Sequence, residues 1–401
     1  MVGQDGSRTG ELMNHHERTV AALDLQRPDR VPVFSCTEAQ NQVYEILGDE
    51  KGMVPLSFVQ EGLVGLALKR AAPLVNALGI FNREFVKFMF NKVQSDVAMG
   101  YDCTWVMFSA IFNLRDNRQA TDIYGRLYDL VADGDGNLDT PMYREGLLTT
   151  PDKWQAWPHP DPEELHSRME RVFTDLQRRF GSRIYLMGSL CWGLWENATQ
   201  AMGLPAFAVA LRRDPDFVRR MVQYYETLYL AAVHAVADAG VPGFVYSDDM
   251  GHKTGPQTSP QVLDEFFGPS LRRIVDEAHQ RGLKIIIHSC GNVNRLLDLF
   301  ANWGFDGVHS LEPTAGMNLA EVKHQVGDRM CVFGNLDIAH VLSQGTRQEV
   351  EEAVRQALRA AAQDGGFIMA MTNSHHAVKV ENTRWMIEST RRYGTYPLAL
   401  D

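Results

Sequence analysis

From residue 163 onward the chain repeats one beat: a stretch with helical periodicity, a short apolar run, then a cluster of polar residues. Residues 163–180 precede Arg183–Gly188, 215–239 precede Gly243–Ser247, and 262–280 precede Lys284–Ser289. The beat continues with Phe305–His309, Met330–Gly334 and Phe367–Met371, each behind its own helical stretch. Strand and helix alternating in this way imply parallel strands joined by right-handed crossovers. Two earlier apolar runs, Val31–Phe34 and Cys103–Phe108, bring the strand count to eight. Eight such units close into a barrel, so the expected fold is α/β, a (β/α)8 TIM barrel. The competing open, doubly wound sheet is disfavoured because no Gly-x-Gly-x-x-Gly follows an early strand.

The 401 residues exceed what eight plain units need. The excess falls after the second strand, where residues of about 115–160 are rich in Asp, Gly, Thr, Tyr and Trp. Asp133-Gly-Asp-Gly-Asn137 has the look of a calcium loop, but Leu138 and Arg144 stand where such a loop needs glycine and glutamate. It reads instead as the turn of an inserted hairpin between Leu127–Val131 and Leu138–Tyr143. Residues 1–14 read as a flexible tail and 15–401 as a single barrel domain.

A net charge of -11 argues against nucleic acid or an anionic membrane as partner. The absence of a long apolar run and of a signal-peptide core points to the cytoplasm. Five dispersed cysteines are poor material for disulfides, and most read as small buried hydrophobes. Cys290 differs because it stands two residues after His288, at the end of the run Lys-Ile-Ile-Ile. Alternation along an extended chain turns His288 and Cys290 to the same side, and together they offer zinc two good ligands.

Active sites of such barrels lie at the carboxyl ends of the strands. There the chain carries Ser247-Asp248-Asp249, His288-Ser289-Cys290-Gly291, His309–Glu312, Gly334–Asp337 and Thr372–His376. Of Asp248 and Asp249, at most one faces inward as ligand or acid–base group; the other reads as a cap. Asp337 reads as a cap. Asn335 and Glu312 are candidate substrate contacts. Trp192 and Trp195, after the third strand, are either core or the wall of an aromatic pocket. His375 and His376 are either rim residues or further zinc ligands.

Ser247-Asp248-Asp249 through Ser259-Pro260, His288–Gly291 and Gly334–Asp337, with Arg18–Leu23, Arg27-Pro-Asp-Arg-Val-Pro32 and Glu381-Asn382, resemble the uroporphyrinogen decarboxylase superfamily over residues of about 17–397. The resemblance implies a barrel that is usually cytoplasmic and often a homodimer. Decarboxylases of that superfamily carry an Arg-Gln-Ala-Gly-Arg segment after the first strand; here Ser35–Gln40 has no arginine. Their aspartate after a Phe-Ser pair is replaced by Ala110. His288-Ser-Cys-Gly291 is instead similar to the zinc-dependent methyltransferases that exchange methyl groups with a corrinoid on a partner protein. That likeness implies His288 and Cys290 as zinc ligands and a methoxylated compound or a thiol as small substrate. The family's third ligand, a cysteine at the end of strand eight, is missing, which moves that role to His375, His376 or an aspartate. The alternative is a metal-free decarboxylase acting on a smaller acid.

Overall fold

The computed structural model describes residues 12–36, 39–49, 56–108, 112–132, 136–138 and 141–400. Its strands, in chain order, are β1 (Val33–Ser35), β2 (Cys103–Phe108), β3 (Asn113–Leu114), β4 (Gln119–Thr121), β5 (Arg126–Asp129) and β6 (Met142–Gly146). They continue with β7 (Tyr185–Leu190), β8 (Gly243–Ser247), β9 (Gly251–His252), β10 (Gly255–Pro256) and β11 (Lys284–Ser289). The last are β12 (Gly307–Ser310), β13 (Cys331–Leu336) and β14 (Phe367–Met371). Eight of them close a barrel in the order β1-β14-β13-β12-β11-β8-β7-β2.

Burial explains the apolar runs. In β11, Ile285, Ile286 and Ile287 are all fully buried, one face toward the barrel axis and the other toward the helices. The helices show the complementary pattern. In Pro162–Phe180, Leu165, Met169, Phe173, Leu176 and Phe180 recur at three- and four-residue spacing and are all buried. Asp161 caps that helix, and Pro162 opens it where no amide partner is needed. In Arg347–Ala361, Thr346 and Glu349 close a capping box. Thr346→Ala should cost about 1 kcal/mol, measurable as a lower midpoint in urea with an unchanged m-value.

At the barrel's amino-terminal end, the Arg-Pro-Asp-Arg run becomes a clamp. Arg30 grips Asp102, at the start of β2, with two 2.7 Å contacts. Arg18 adds a 2.8 Å bond to the same carboxylate and holds Asp29 through two 2.7 Å bonds. His15 and the backbone N–H of Val33 complete the shell around Asp102. Burial alone would raise this carboxyl, but hydrogen bonds from His15 and Arg30 and the positive charges of Arg30 and Arg18 hold it well below the usual range.

The inserted segment is larger than a hairpin. β5 and β6 pair antiparallel with a bulge at Leu127/Tyr128, and β3 and β4 extend them to four strands. Residues 133–135 of the expected Asp133–Asn137 turn lie outside the described residues, as do residues 1–11 of the expected tail. The small sheet has its own core of Phe112, Leu114, Ala120, Tyr128 and Leu130, against which Ala72 and Trp192 pack. Among the described residues no single helix is long and apolar enough to cross a membrane.

Candidate metal centre

β11 and β12 pair in register, so His288 and His309 stand side by side at their carboxyl ends. Both rings point into the barrel and are buried, His288 against Trp105 (ring centroids 4.9 Å) and His309 against Phe34 (5.1 Å). After β11 the chain turns sharply at Gly291, whose φ is +83°. A Cβ there would fall 2.7 Å from the carbonyl carbon of Gly251 and 2.8 Å from the nitrogen of His252, so only glycine fits. That turn leaves Cys290 facing back toward His288, with its sulfur 3.4 Å from Nε2.

Asp249 completes the group. Its Oδ1 accepts the Cys290 backbone N–H at 2.8 Å and lies 3.9 Å from His288 Nε2. One donor atom from each of Asp249, His288 and Cys290 lies within 4.8 Å of the others. Imidazole nitrogen, sulfur and carboxylate oxygen are a donor set that suits zinc. Three further groups touch the sulfur's surroundings: Asn373 Nδ2 at 3.1 Å and Ser310 Oγ at 4.0 Å from Sγ, and Glu312, whose Oε2 accepts the Gly291 N–H at 3.3 Å.

Hydrogen-bond logic fixes the tautomer of His288. His309 Nε2 lies 3.0 Å from the carbonyl oxygen of Met371, which can only accept, so Nε2 carries the proton. Burial and the neighbouring His288 keep His309 neutral, leaving its Nδ1 as an acceptor. His288 Nδ1, 2.7 Å away, is therefore the donor. Burial lowers His288 to about 4, so this ring too is neutral at pH 7 and its Nε2 lone pair faces Cys290 and Asp249. The Cys290 thiol is pushed well above its ordinary value by burial and by the charges of Asp249 and Glu312. A dication would reverse that balance, since metal coordination deprotonates a thiol outright.

Asp248 and Asp249 divide their work as alternation requires. Asp248 is fully buried and accepts from the N–H groups of Trp195 (2.9 Å) and Glu196 (2.8 Å) and from the Tyr246 hydroxyl (2.8 Å). It caps the helix Leu194–Met202, whose N-cap, Gly193, has no side chain to do so. A Cβ on Gly193 would sit 2.2 Å from the Asp248 carboxyl carbon. Burial raises Asp248 to about 7, against these three donors. The expectation of an acid–base role for Asp248 thus gives way to a cap, and Asp249 is the carboxylate that reaches the open site, its side chain 39% exposed.

The other expected residues are placed as follows. Trp195 is core, edge-on to Phe207 and Phe267. Trp192 lies under the inserted sheet with the Arg126 guanidinium 4.0 Å above its ring. Asn335 donates to the Leu311 carbonyl at 2.9 Å and holds the loop after β12. Asp337 caps its own turn through the N–H groups of Ala339 and His340. His375 and His376 are exposed and stack on each other at 4.1 Å, outside the Asp249–His288–Cys290 group. They lie on the loop beyond β14.

Beside the metal group lies a cavity of about 230 Å³ lined by Tyr143, Glu196, Thr199, Gln200, Leu204, Asp249 and Gln257. Asp249 belongs to both. Sequence reasoning did not find Glu196, which burial and the adjacent Asp249 raise well above the ordinary carboxyl value. Nor did it give a role to His309, although equal position at the ends of adjacent strands was a signal that could have done so. Backbone strain gathers here as well. Trp192, Ser310 and Leu311 have φ of +57°, +99° and +53°, a conformation non-glycine residues adopt at a cost and one that concentrates at functional sites.

The uroporphyrinogen decarboxylase family model matches residues 134–393. A uroporphyrinogen decarboxylase from Coxiella burnetii is 24% identical over 206 residues, 50% of this chain and 55% of the relative. The chain thus spans about half the length of those curated relatives. The methylcobamide:CoM methyltransferase MtaA of Methanosarcina barkeri is 26% identical over 129 residues, covering 32% of this chain and 36% of the relative. Among solved structures, a methyltransferase from Methanosarcina mazei superposes with a TM-score of 0.65 at 15% identity, over 95% of this chain and 99% of that one.

Proposed function

Because the chain belongs to the uroporphyrinogen decarboxylase family, we propose that it is a zinc-dependent methyltransferase working between a small substrate and a corrinoid held by a separate protein. The observation that carries this reading is the convergence of Asp249, His288 and Cys290 at the barrel mouth, with a cavity against one of them. The similarity to a methylcobamide methyltransferase supports the reaction class. When bound, zinc supplies Lewis acidity toward an ether oxygen or activates a thiol.

The chain's own residues prepare that site. His309 presents the unprotonated Nε2 of His288, Asp249 bridges the metal group and the cavity, and Cys290 contributes sulfur once its proton has left. Neither histidine needs to lose a proton first. At least one proton, that of Cys290, should therefore leave per zinc bound, and apparent affinity should rise about tenfold or more per pH unit from pH 6 to 8. Competition with a chromophoric chelator across that range measures it; a flat profile counts against Cys290 as a ligand.

His309→Phe keeps an aromatic ring between Phe34 and Phe333 but removes the acceptor for His288 Nδ1. Zinc affinity should fall by roughly 10–100-fold, with ¹⁵N shifts of His288 reporting a mixed tautomer. Zinc content of the purified protein, together with methyl transfer to or from an added corrinoid protein, tests the whole reading; absence of zinc after metal-replete expression would end it. The sequence similarity to decarboxylases favours a second reading, a metal-free carboxy-lyase on a smaller acid. Carbon dioxide release in the presence of chelator would select it.

A further inference from the structure

The helix Gly62–Ala77 is apolar on two opposite faces, and only one of them is covered. The covered face packs on the inserted sheet, with Ala72 buried in its core and Val75 against it. Asn76 fixes this seat: its Nδ2 donates to the Leu114 carbonyl and its Oδ1 accepts the Leu114 N–H, both at 2.9 Å. At 3.6 residues per turn, the opposite face carries Leu63, Leu66, Ala67, Leu74, Ala77 and, at the C-cap, Leu78. All of these are exposed, Leu63 by 86% and Leu74 by 60%. A helix that is apolar all round belongs in an interior. Phe58 before the helix and Ile80 after it are exposed as well. Together this surface offers on the order of 800 Å², about what one partner contributes to a standard stable interface.

The order of sizes along the bare stripe says what covers it. Leu63, Ala67, Arg70, Leu74 and Ala77 follow one another at spacings of four, three, four and three, the seam of a coiled coil. About a two-fold axis level with Arg70, an antiparallel second copy brings Leu63 level with Ala77 and Ala67 to within one residue of Leu74. Each pair then occurs twice, as two-fold symmetry demands, and large side chains meet small ones. A lipid surface asks for apolar area but for no alternation of size. Charge discriminates further. Residues 62–78 hold Lys69 and Arg70 and no carboxylate, and each copy carries -11 overall. Two copies therefore repel, so salt must strengthen their pairing, whereas it would weaken attachment of this stripe to an acidic partner or an anionic membrane.

We propose that the stripe on Gly62–Ala77 is the contact between two copies of this chain, packed antiparallel across a two-fold axis. The family resemblance implies a homodimer without saying which face forms it; this stripe supplies the face. Because the helix is seated on the inserted sheet through Ala72 and Asn76, the pairing sets the inserts of the two copies next to each other.

Sedimentation equilibrium of the full chain, from roughly micromolar to hundred-micromolar loading, tests this at low and at high salt. A reversible dimer with a dissociation constant of about 10 μM or tighter is expected, tighter still at high salt. Ala67→Lys and Leu74→Glu should each weaken pairing by roughly 100-fold, because each buries a charge in the seam. Both positions are exposed in the single chain, so thermal midpoint and zinc content should stay at their wild-type values. Mixed in equal amounts, the two variants should pair again, since the new lysine of one then meets the new glutamate of the other. A wild-type chain that stays monomeric, variants that dimerise as it does, a mixture that stays apart, or pairing that weakens with salt overturns the proposal. So does flotation of the wild type, but not of Leu74→Glu, with vesicles of phosphatidylcholine and phosphatidylglycerol, which would assign the stripe to a membrane.

Discussion

His288→Ala is expected to strip the protein of stoichiometric zinc. Zinc sites in small proteins bind with free energies on the order of 10–16 kcal/mol, so one ligand's share is about 3–4 kcal/mol, a loss of two to three orders of magnitude in affinity. His288 carries at least that share, because two neighbours hold its ring: Trp105 and His309 pack against it, and His309 also fixes its protonation. The alanine variant leaves a void beside Trp105, so the volume-conserving His288→Gln should accompany it. Metal analysis after dialysis, together with the thermal midpoint, separates lost ligation from lost packing. Zinc retained at full stoichiometry in both variants would remove His288 from the metal group.

Asp102→Asn is expected to destabilise the fold by roughly 3–5 kcal/mol, as removal of one partner from a buried ion pair typically does. The substitution keeps the shape but removes the carboxylate that Arg18 and Arg30 share, leaving Arg18 to Asp29. Urea unfolding at pH 7 measures the loss. The pH dependence gives an independent check. Because the folded-state carboxyl lies below its unfolded value, its stabilisation is complete above the unfolded value of about 4 and is lost as the pH falls toward the folded one. Wild type should therefore show a steeper acid limb than Asp102→Asn, and parallel limbs would mean the clamp contributes little.

Much of this barrel is legible in the chain because its strands are nearly continuous apolar runs with sharp ends. Cys103–Phe108, Gly243–Ser247, Lys284–Ser289 and Phe367–Met371 are strands with the bounds their composition suggests. The first strand lies two residues later than Val31 because Pro32 cannot donate to the ladder. Two strands of the inserted sheet stayed hidden: β3 and β4 have two and three residues, too few for any period to register. At the site, the His-x-Cys pair was visible as a pair because extended geometry governs both residues. The third donor was open among His375, His376 and an aspartate, and only the fold brings Asp249 across 41 residues to Cys290. The capping role of Asp248 is invisible for the same reason, since its helix begins more than 50 residues earlier.

That cap has a mechanical consequence. Asp248 rivets the first turn of Leu194–Met202 to the dipeptide that also supplies Asp249. Glu196 and Gln200 ride on that helix, so the wall that would grip a ligand and the carboxylate beside the metal group shift together or not at all. Such a chassis leaves little play for retuning by hinge motion, and a relative with a different diet would have to change side chains on the helix or exchange the four-stranded insert that roofs it.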